Sequence, residues 1–338
     1  MTATLMMAPS QSRILIAEPY GLRYHLILQN LSPIVHGDTV VGLNTSTNKT
    51  LFLRRPLADQ TDATRTDPPR YPTLSENAFR AVAVRRPLAD HLIETLDLAG
   101  GALPAGVQAA LSPATDLLYA QEGQLSQATL NLLYSGGAIA AGKIAPTSRD
   151  SLGRLVRSRY PSIDLLGGSV DRFMLPAGRL KVNIFPITQE YLGTLQHFSY
   201  LQPASQFLGQ DLLEEARRLR IRNCLYEETR TRGTGAESSG NQMLYSYEAL
   251  ASGVKFVVRF TLDQQTSPVT VAALAKAIEK WDRYFGGSSR QGRGLMQILC
   301  TDLPDSEPYL AHLARNKDQM RAGLLDGTFG TSLELCAR

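Results

Sequence analysis

Cysteine is scarce in this 338-residue chain: Cys224, Cys300 and Cys336, with no Cys-x-x-Cys pair among them. Such spacing offers neither a zinc site nor a redox dithiol, and a sparse, odd set fits a reducing compartment. The five histidines (His25, His36, His91, His197 and His312) are scattered without HxxxH or HExxH spacing, so no metal site is expected. No 18-residue apolar run is present, which excludes a helical membrane span. The N-terminus has no charged segment leading into a long apolar one, so no secretory signal is read there. G-x-G-x-x-G, G-x-S-x-G, DxD and ExxH are all absent, leaving no catalytic constellation with motif support. These absences predict a soluble cytoplasmic protein, and no motif in it supports an enzyme or a cofactor site.

What is present is a hydrophobic fraction of 43%, enough for a substantial core in one large or two ordinary domains. Lysine and arginine total 35 against 31 acidic residues, a net charge of +4. That mild excess is compatible with nucleic-acid binding, and the placement of the arginines matters more than their number.

Residues 1–12 read as a loose leader. Leu22 to Leu31 alternates as a core strand, Ser32-Pro33 breaks it, and His36-Gly37-Asp38 turns the chain. Val40 to Asn48 reads as a loop, Leu51 to Arg54 as a short strand, and Ala58 to Pro72 as a flexible connection. Thr73-Leu74-Ser75-Glu76 has the spacing of a capping box, with Thr73 as the cap. The helix it opens carries Arg80, Arg85 and Arg86, meets Pro87, and continues from Leu88 to Leu98. Leu125 to Tyr134 predicts a helix closing on Ser135-Gly136-Gly137, followed by a basic loop and helix to Arg159. Gly178 to Ile187 alternates as a strand. Asp211 to Arg222 predicts a helix bearing Arg217, Arg218, Arg220 and Arg222; with Arg230 and Arg232 there are six arginines between positions 217 and 232. Gly233 to Gly240 reads as a flexible tip. Met243 to Glu248 and Val254 to Leu262 are strands turned by Gly253. A helix from Ser267 to Tyr284 and a strand from Leu295 to Cys300 follow, and the tail is loop and helix. Mixed elements with separated strands predict an α+β fold with a mainly antiparallel sheet.

Between that last helix and strand lies Gly286-Gly287-Ser288-Ser289-Arg290-Gln291-Gly292-Arg293-Gly294. Glycines let backbone approach a ligand, exposed N–H groups bind anions, and arginine forks add bidentate phosphate contacts. The stretch nearly fits G-x-x-x-x-G-K-[ST], but Arg293 stands for the lysine and Gly294 for the hydroxyl residue. The element order is also reversed, because a nucleotide phosphate loop leads from strand into helix. A plain helix-to-strand turn is the simplest alternative. Two arginines and two serines exceed what a turn needs.

The ordered set of segments resembles the RAMP superfamily of CRISPR-associated proteins. It comprises Tyr71-Pro72-Thr73-Leu74-Ser75-Glu76-Asn77-Ala78-Phe79-Arg80, Leu165-Leu166-Gly167-Gly168-Ser169, Gly178-Arg179-Leu180-Lys181-Val182, Tyr247 to Phe256, and the glycine-rich loop. Layout and the run Tyr134-Ser135-Gly136-Gly137 look most like the Cas-seven backbone subunit of type IV. The resemblance implies one elaborated RRM-like (ferredoxin-like) antiparallel palm over 1–338, a helical insertion at 99–160 and a basic β-hairpin thumb at 188–240. It implies guide RNA (crRNA), further copies in a filament, the large, tail or cap and guide-processing subunits, target DNA and a recruited helicase as partners, and no membrane. RNA contacts are then expected from Arg80, Arg85, Arg86, Ser135, Gly136, Arg218, Arg220, Arg222, Arg230, Arg232, Gly287, Ser288, Ser289, Arg290 and Arg293. Type III relatives cut target RNA with an aspartate after the first strand. The matching stretch here, Asn44 to Lys49, has no acid, and the nearest is Asp38. Two rivals remain: an RNA-cleaving relative using Asp38, and an enzyme holding a nucleotide at the glycine loop.

Overall fold

The computed structural model describes residues 21–36, 38–41, 46–49, 51–54, 70–98, 125, 127–136, 156–170, 173–174, 177–187, 213–221, 242–287, 289 and 292–325. The leader, the connection at 58–69, the tip at 233–240 and most of both expected insertions lie outside the described residues.

Strand β1 (Leu22–Asn30) is followed by two small antiparallel pairs, β2 (Asp38–Val41) with β3 (Ser46–Lys49) and β4 (Leu51–Arg54) with β5 (Arg70–Thr73). The described parts of the stretch expected as loop at 40–48 are therefore strand. Its valines and threonines favour extended backbone and outweigh the glycine and asparagines.

The helix cap is also displaced from the expected one. Ser75 caps α1 (Glu76–Phe79), its Oγ accepting the Ala78 N–H at 3.3 Å. Thr73 instead belongs to β5, and its hydroxyl donates to Ile184 O at 3.1 Å. Glu76 does not reach back; it accepts from Asn183 Nδ2 at 3.3 Å. A π-helical turn, Arg80–Arg85, then joins α1 to α2 (Arg86–Thr95). Pro87 explains it. Proline has no N–H and its ring crowds the carbonyl four residues back, so a wider turn just before it lets the helix run on. The Arg86 N–H accordingly reaches Ala81 O, five residues back.

Next come α3 (Gln127–Ser135), α4 (156–159), α5 (Pro161–Leu166), the short pair β6 (Ser169–Val170) and β7 (Phe173–Met174), and β8 (Lys181–Pro186). β9 (Leu213–Ile221) pairs antiparallel with β10 (Gln242–Leu250) along its whole length, from Leu213 opposite Leu250 to Ile221 opposite Gln242. The helix expected at 211–222 is thus a strand. Leu-Glu-Glu-Ala-Arg-Arg-Leu-Arg is rich in helix formers, but propensity is a weak prior, and nine paired residues override it. β11 (Lys255–Leu262), α6 (Pro268–Lys280, capped by Ser267), β12 (Met296–Thr301) and α7 (Glu307–Leu325) complete the chain.

β1, β8, β11 and β12 form one antiparallel sheet in the spatial order β12-β1-β11-β8. Numbered along the chain, that is fourth, first, third, second, with helices passing between first and second and between third and fourth. Alternation along β8 turns Val182 and Ile184 inward, where they join Leu26, Leu28, Phe256, Val258 and Phe260. The helices close over this face with Phe79, Leu88, Leu274, Ile278, Leu313 and Met320. Phe79 is fully buried and lies edge-on to Trp281, ring centroids 5.4 Å apart, with Phe260 and Phe285 beyond. Burying one such ring contributes about 2–3 kcal/mol. Among the described residues no helix is long and apolar enough to cross a membrane.

Candidate nucleic-acid interface

One end of the sheet gathers segments distant in sequence, and the chain leaving β1 organises it. Ile34 exchanges two backbone hydrogen bonds with Leu250 at the end of β10, at 3.0 and 2.8 Å. Val35 O accepts the Gly287 N–H at 2.7 Å, and Pro33 O accepts the Gly294 N–H at 3.0 Å. Ser32 Oγ accepts the Leu295 N–H at 3.0 Å. The glycine loop is therefore docked at both ends onto residues 32–35, and Phe285 N–H to Gly294 O (2.9 Å) closes its base.

The glycines divide into two kinds. Gly286 (φ +89°) and Gly294 (φ +77°) are structural: a Cβ at either would strike backbone, Val35 O for one and Phe285 O for the other. Gly292 (φ +74°) lies at the tip, with nothing within 4 Å of where a Cβ would be. The turn reading of the loop thus accounts for its base, where the backbone contacts require glycine, and not for Gly292. Gly287 and Ser289 are exposed, and Arg293 is half-buried. Ser288 and Arg290 lie outside the described residues.

His36 ties this end to the first helix. Its Nε2 accepts the Ser75 N–H at 2.9 Å, and its ring packs on Phe285 with centroids 4.9 Å apart. Burial lowers its pKa below the ordinary value. Burial is also the main cause of the downward shift at His91. A histidine with a depressed folded pKa contributes stability that is full above its unfolded value, near 6.5, and is lost as pH falls through the folded value. The melting temperature should therefore fall between pH 7 and pH 5, and fall less in His36→Gln. An equal fall in both proteins, by thermal melts at the two pH values, would exclude His36 as a contributor.

The arginines of the first helix form a separate group. Arg80 Nη2 and Arg85 Nη2 both donate to Leu166 O at 3.3 Å. Arg85 also donates to Leu132 O at 3.1 Å and Gly167 O at 3.4 Å. Leu166 O and Gly167 O lie at the C-terminal end of α5, where helix geometry leaves carbonyls without intrahelical partners, and Leu132 O, in the last turn of α3, also accepts the Gly136 N–H at 3.1 Å. Desolvation, aided by the Arg80 charge, brings the Arg85 pKa down to about 10. Gly136 (φ +87°) lies against that guanidinium, a Cβ there being 3.2 Å from Nη2, while Ser135 and Arg86 are exposed. Arg80, Arg85, Ser135 and Gly136 are thus brought together, around the 166–167 carbonyls.

Arg218 and Arg220 lie on β9, opposite Tyr245 and Met243. Arg222, Arg230 and Arg232 lie outside the described residues. Asp38 begins β2 and pairs with Lys49. Among the described residues no group of three His, Cys, Asp or Glu could hold a metal ion. Sequence reasoning did not find the anchoring role of His36 and Ser32, whose only signal was their place in a turn after the first strand.

No protein-family model matches the chain, and no curated protein does. Among solved structures it is similar to a chain of a Type IV-B CRISPR complex, at 17% identity and a TM-score of 0.45, over 84% of this chain and 93% of that one. It is also similar to a chain of the Type III-B Cmr-beta complex bound to cognate target RNA, at 9% identity and a TM-score of 0.34, over 84% of this chain and 61% of that one.

Proposed function

We propose that the chain is a non-catalytic backbone subunit of a type IV CRISPR effector complex. Copies of it line a guide RNA and present it for pairing with target DNA. The observation that supports this reading best is the convergence at one sheet end of the glycine loop, the α1 N-terminus and the root of the β9–β10 pair. A strand order of fourth-first-third-second with two helical crossovers suits an RRM-like palm. A two-stranded arm carrying Arg217, Arg218 and Arg220 in its sequence suits a thumb. Affinity on such a surface is phosphate-directed and indifferent to guide sequence.

Replacing Arg290 and Arg293 together by alanine should weaken RNA binding alike for unrelated guides. Each phosphate contact to a single strand adds about 0.7 to the slope of log K against log salt, so losing two should flatten it by about 1.4. Unchanged binding and slope would remove the loop from the interface. The purified protein should run as a large particle whose RNA has uniform length, and a nucleic-acid-free monomer would count against the filament. That particle should leave complementary RNA intact with Mg²⁺. Cleavage lost in Asp38→Asn would make the subunit a nuclease.

A further inference from the structure

At the opposite end of the sheet, the start of β8 and the end of β11 frame an open cleft of about 490 Å³, a volume usual for small-ligand sites. β1 runs nine residues between the two ends, which sets this cleft about 25–30 Å from the glycine loop. Its lining includes Arg157, Arg179, Lys181, Asp263 and Gln264.

The two guanidiniums are fixed from behind. Arg179 Nε donates to the buried Asp164 carboxylate at 2.8 Å, and Arg179 Nη1 donates to Asp263 at 3.1 Å. Arg157 Nη2 donates to Ala177 O at 2.6 Å, with its Nε 3.6 Å from the same Asp164 oxygen. One carboxylate is thus shared between two arginines, and Lys181 at the exposed start of β8 adds a third cation. Three positive groups face two negative ones, and each fork keeps N–H groups beyond those already bonded. Arginines whose rotamers are already held lose little further freedom on binding an anion.

We infer that this cleft is a phosphate-binding site sized for one nucleotide, separate from the glycine loop and independent of the function proposed above. The phosphate is a monoester if the ligand is a free nucleotide and a diester if it is a nucleic-acid strand. Isothermal titration of the full chain with adenosine monophosphate tests the first source. The expected Kd is about 0.1–1 mM, weakened at least tenfold in Lys181→Glu and unchanged in Arg293→Ala. A short single strand without terminal phosphates tests the second: if adenosine monophosphate does not bind, a tenfold loss of strand affinity in Lys181→Glu assigns a diester. Lys181 is exposed, so matching thermal melts of variant and parent should confirm an intact fold. If neither ligand's affinity responds to Lys181→Glu, the inference fails.

Discussion

Asp164→Ala should lower stability by about 3 kcal/mol, measured as a shift in the urea midpoint at unchanged slope. Only 4% of Asp164 is exposed, in a six-residue helix where no water replaces lost partners cheaply. Its Oδ1 accepts from Arg179 Nε, and its Oδ2 accepts from the Thr270 hydroxyl at 2.9 Å. Thr270 in turn meets Ser267, the cap of α6. One carboxylate therefore links α5, the entry to β8, α4 through Arg157, and the start of α6. Removing it leaves two guanidiniums without their shared counter-charge and a buried hydroxyl without its acceptor. Both arginine side chains keep about a fifth of their surface exposed, 21% for Arg157 and 17% for Arg179. Partial rehydration places the cost at the lower end of the usual 3–5 kcal/mol. Asp164→Asn keeps an acceptor for Thr270 but not the charge, and should lose roughly half as much. A loss below about 0.5 kcal/mol in Asp164→Ala would mean the network relaxes without cost.

That network was not legible in the sequence, for a physical reason. Arg157, Asp164, Arg179 and Thr270 are ordinary residues at ordinary spacings, and only the packing of α5 against α6 brings them together. The central sheet was legible because its pattern is local. β8 alternates inward and outward, β11 is a run of β-branched and aromatic residues bounded by Gly253, and Ser267 announces α6. Local signals misled where two of them competed. The Thr73-to-Glu76 spacing fits a capping box, yet Thr73 is held in β5 by its bond to Ile184, so Ser75 becomes the cap. At 213–221 the helical composition was plain, and the pairing that overrides it lies across residues 222–241 from its partner strand. Arg80 and Arg85 show the same limit at the site. Their charge was legible in the sequence, but the helix-end carbonyls that hold them were not, because those come from segments more than forty residues away.

Gly294→Ala should be the most damaging single change in the glycine loop. Its φ of +77° costs an L-residue about 1–3 kcal/mol by itself. The added Cβ would also collide with Phe285 O, a backbone atom that cannot rotate away. Shifting the chain is blocked on both sides, because the Gly294 N–H is held by Pro33 O and Gly294 O by the Phe285 N–H. The least costly escape is for the loop to leave residues 32–35, giving up the Gly287, Gly294 and Leu295 bonds while the sheet persists. Gly292→Ala supplies the contrast. It carries nearly the same backbone strain, φ +74°, with open space around the new methyl, so it should cost only the strain. Hydrogen exchange at Gly287 and Leu295 should therefore accelerate strongly in Gly294→Ala and little in Gly292→Ala. RNA affinity should follow the same order, since a detached loop no longer presents its N–H groups and arginines as one preorganised surface. If the two variants lose affinity equally, the tip contributes through its own backbone shape, and docking on residues 32–35 does not matter for binding. If exchange rises while affinity holds, the loop is a fold element and the RNA lies elsewhere.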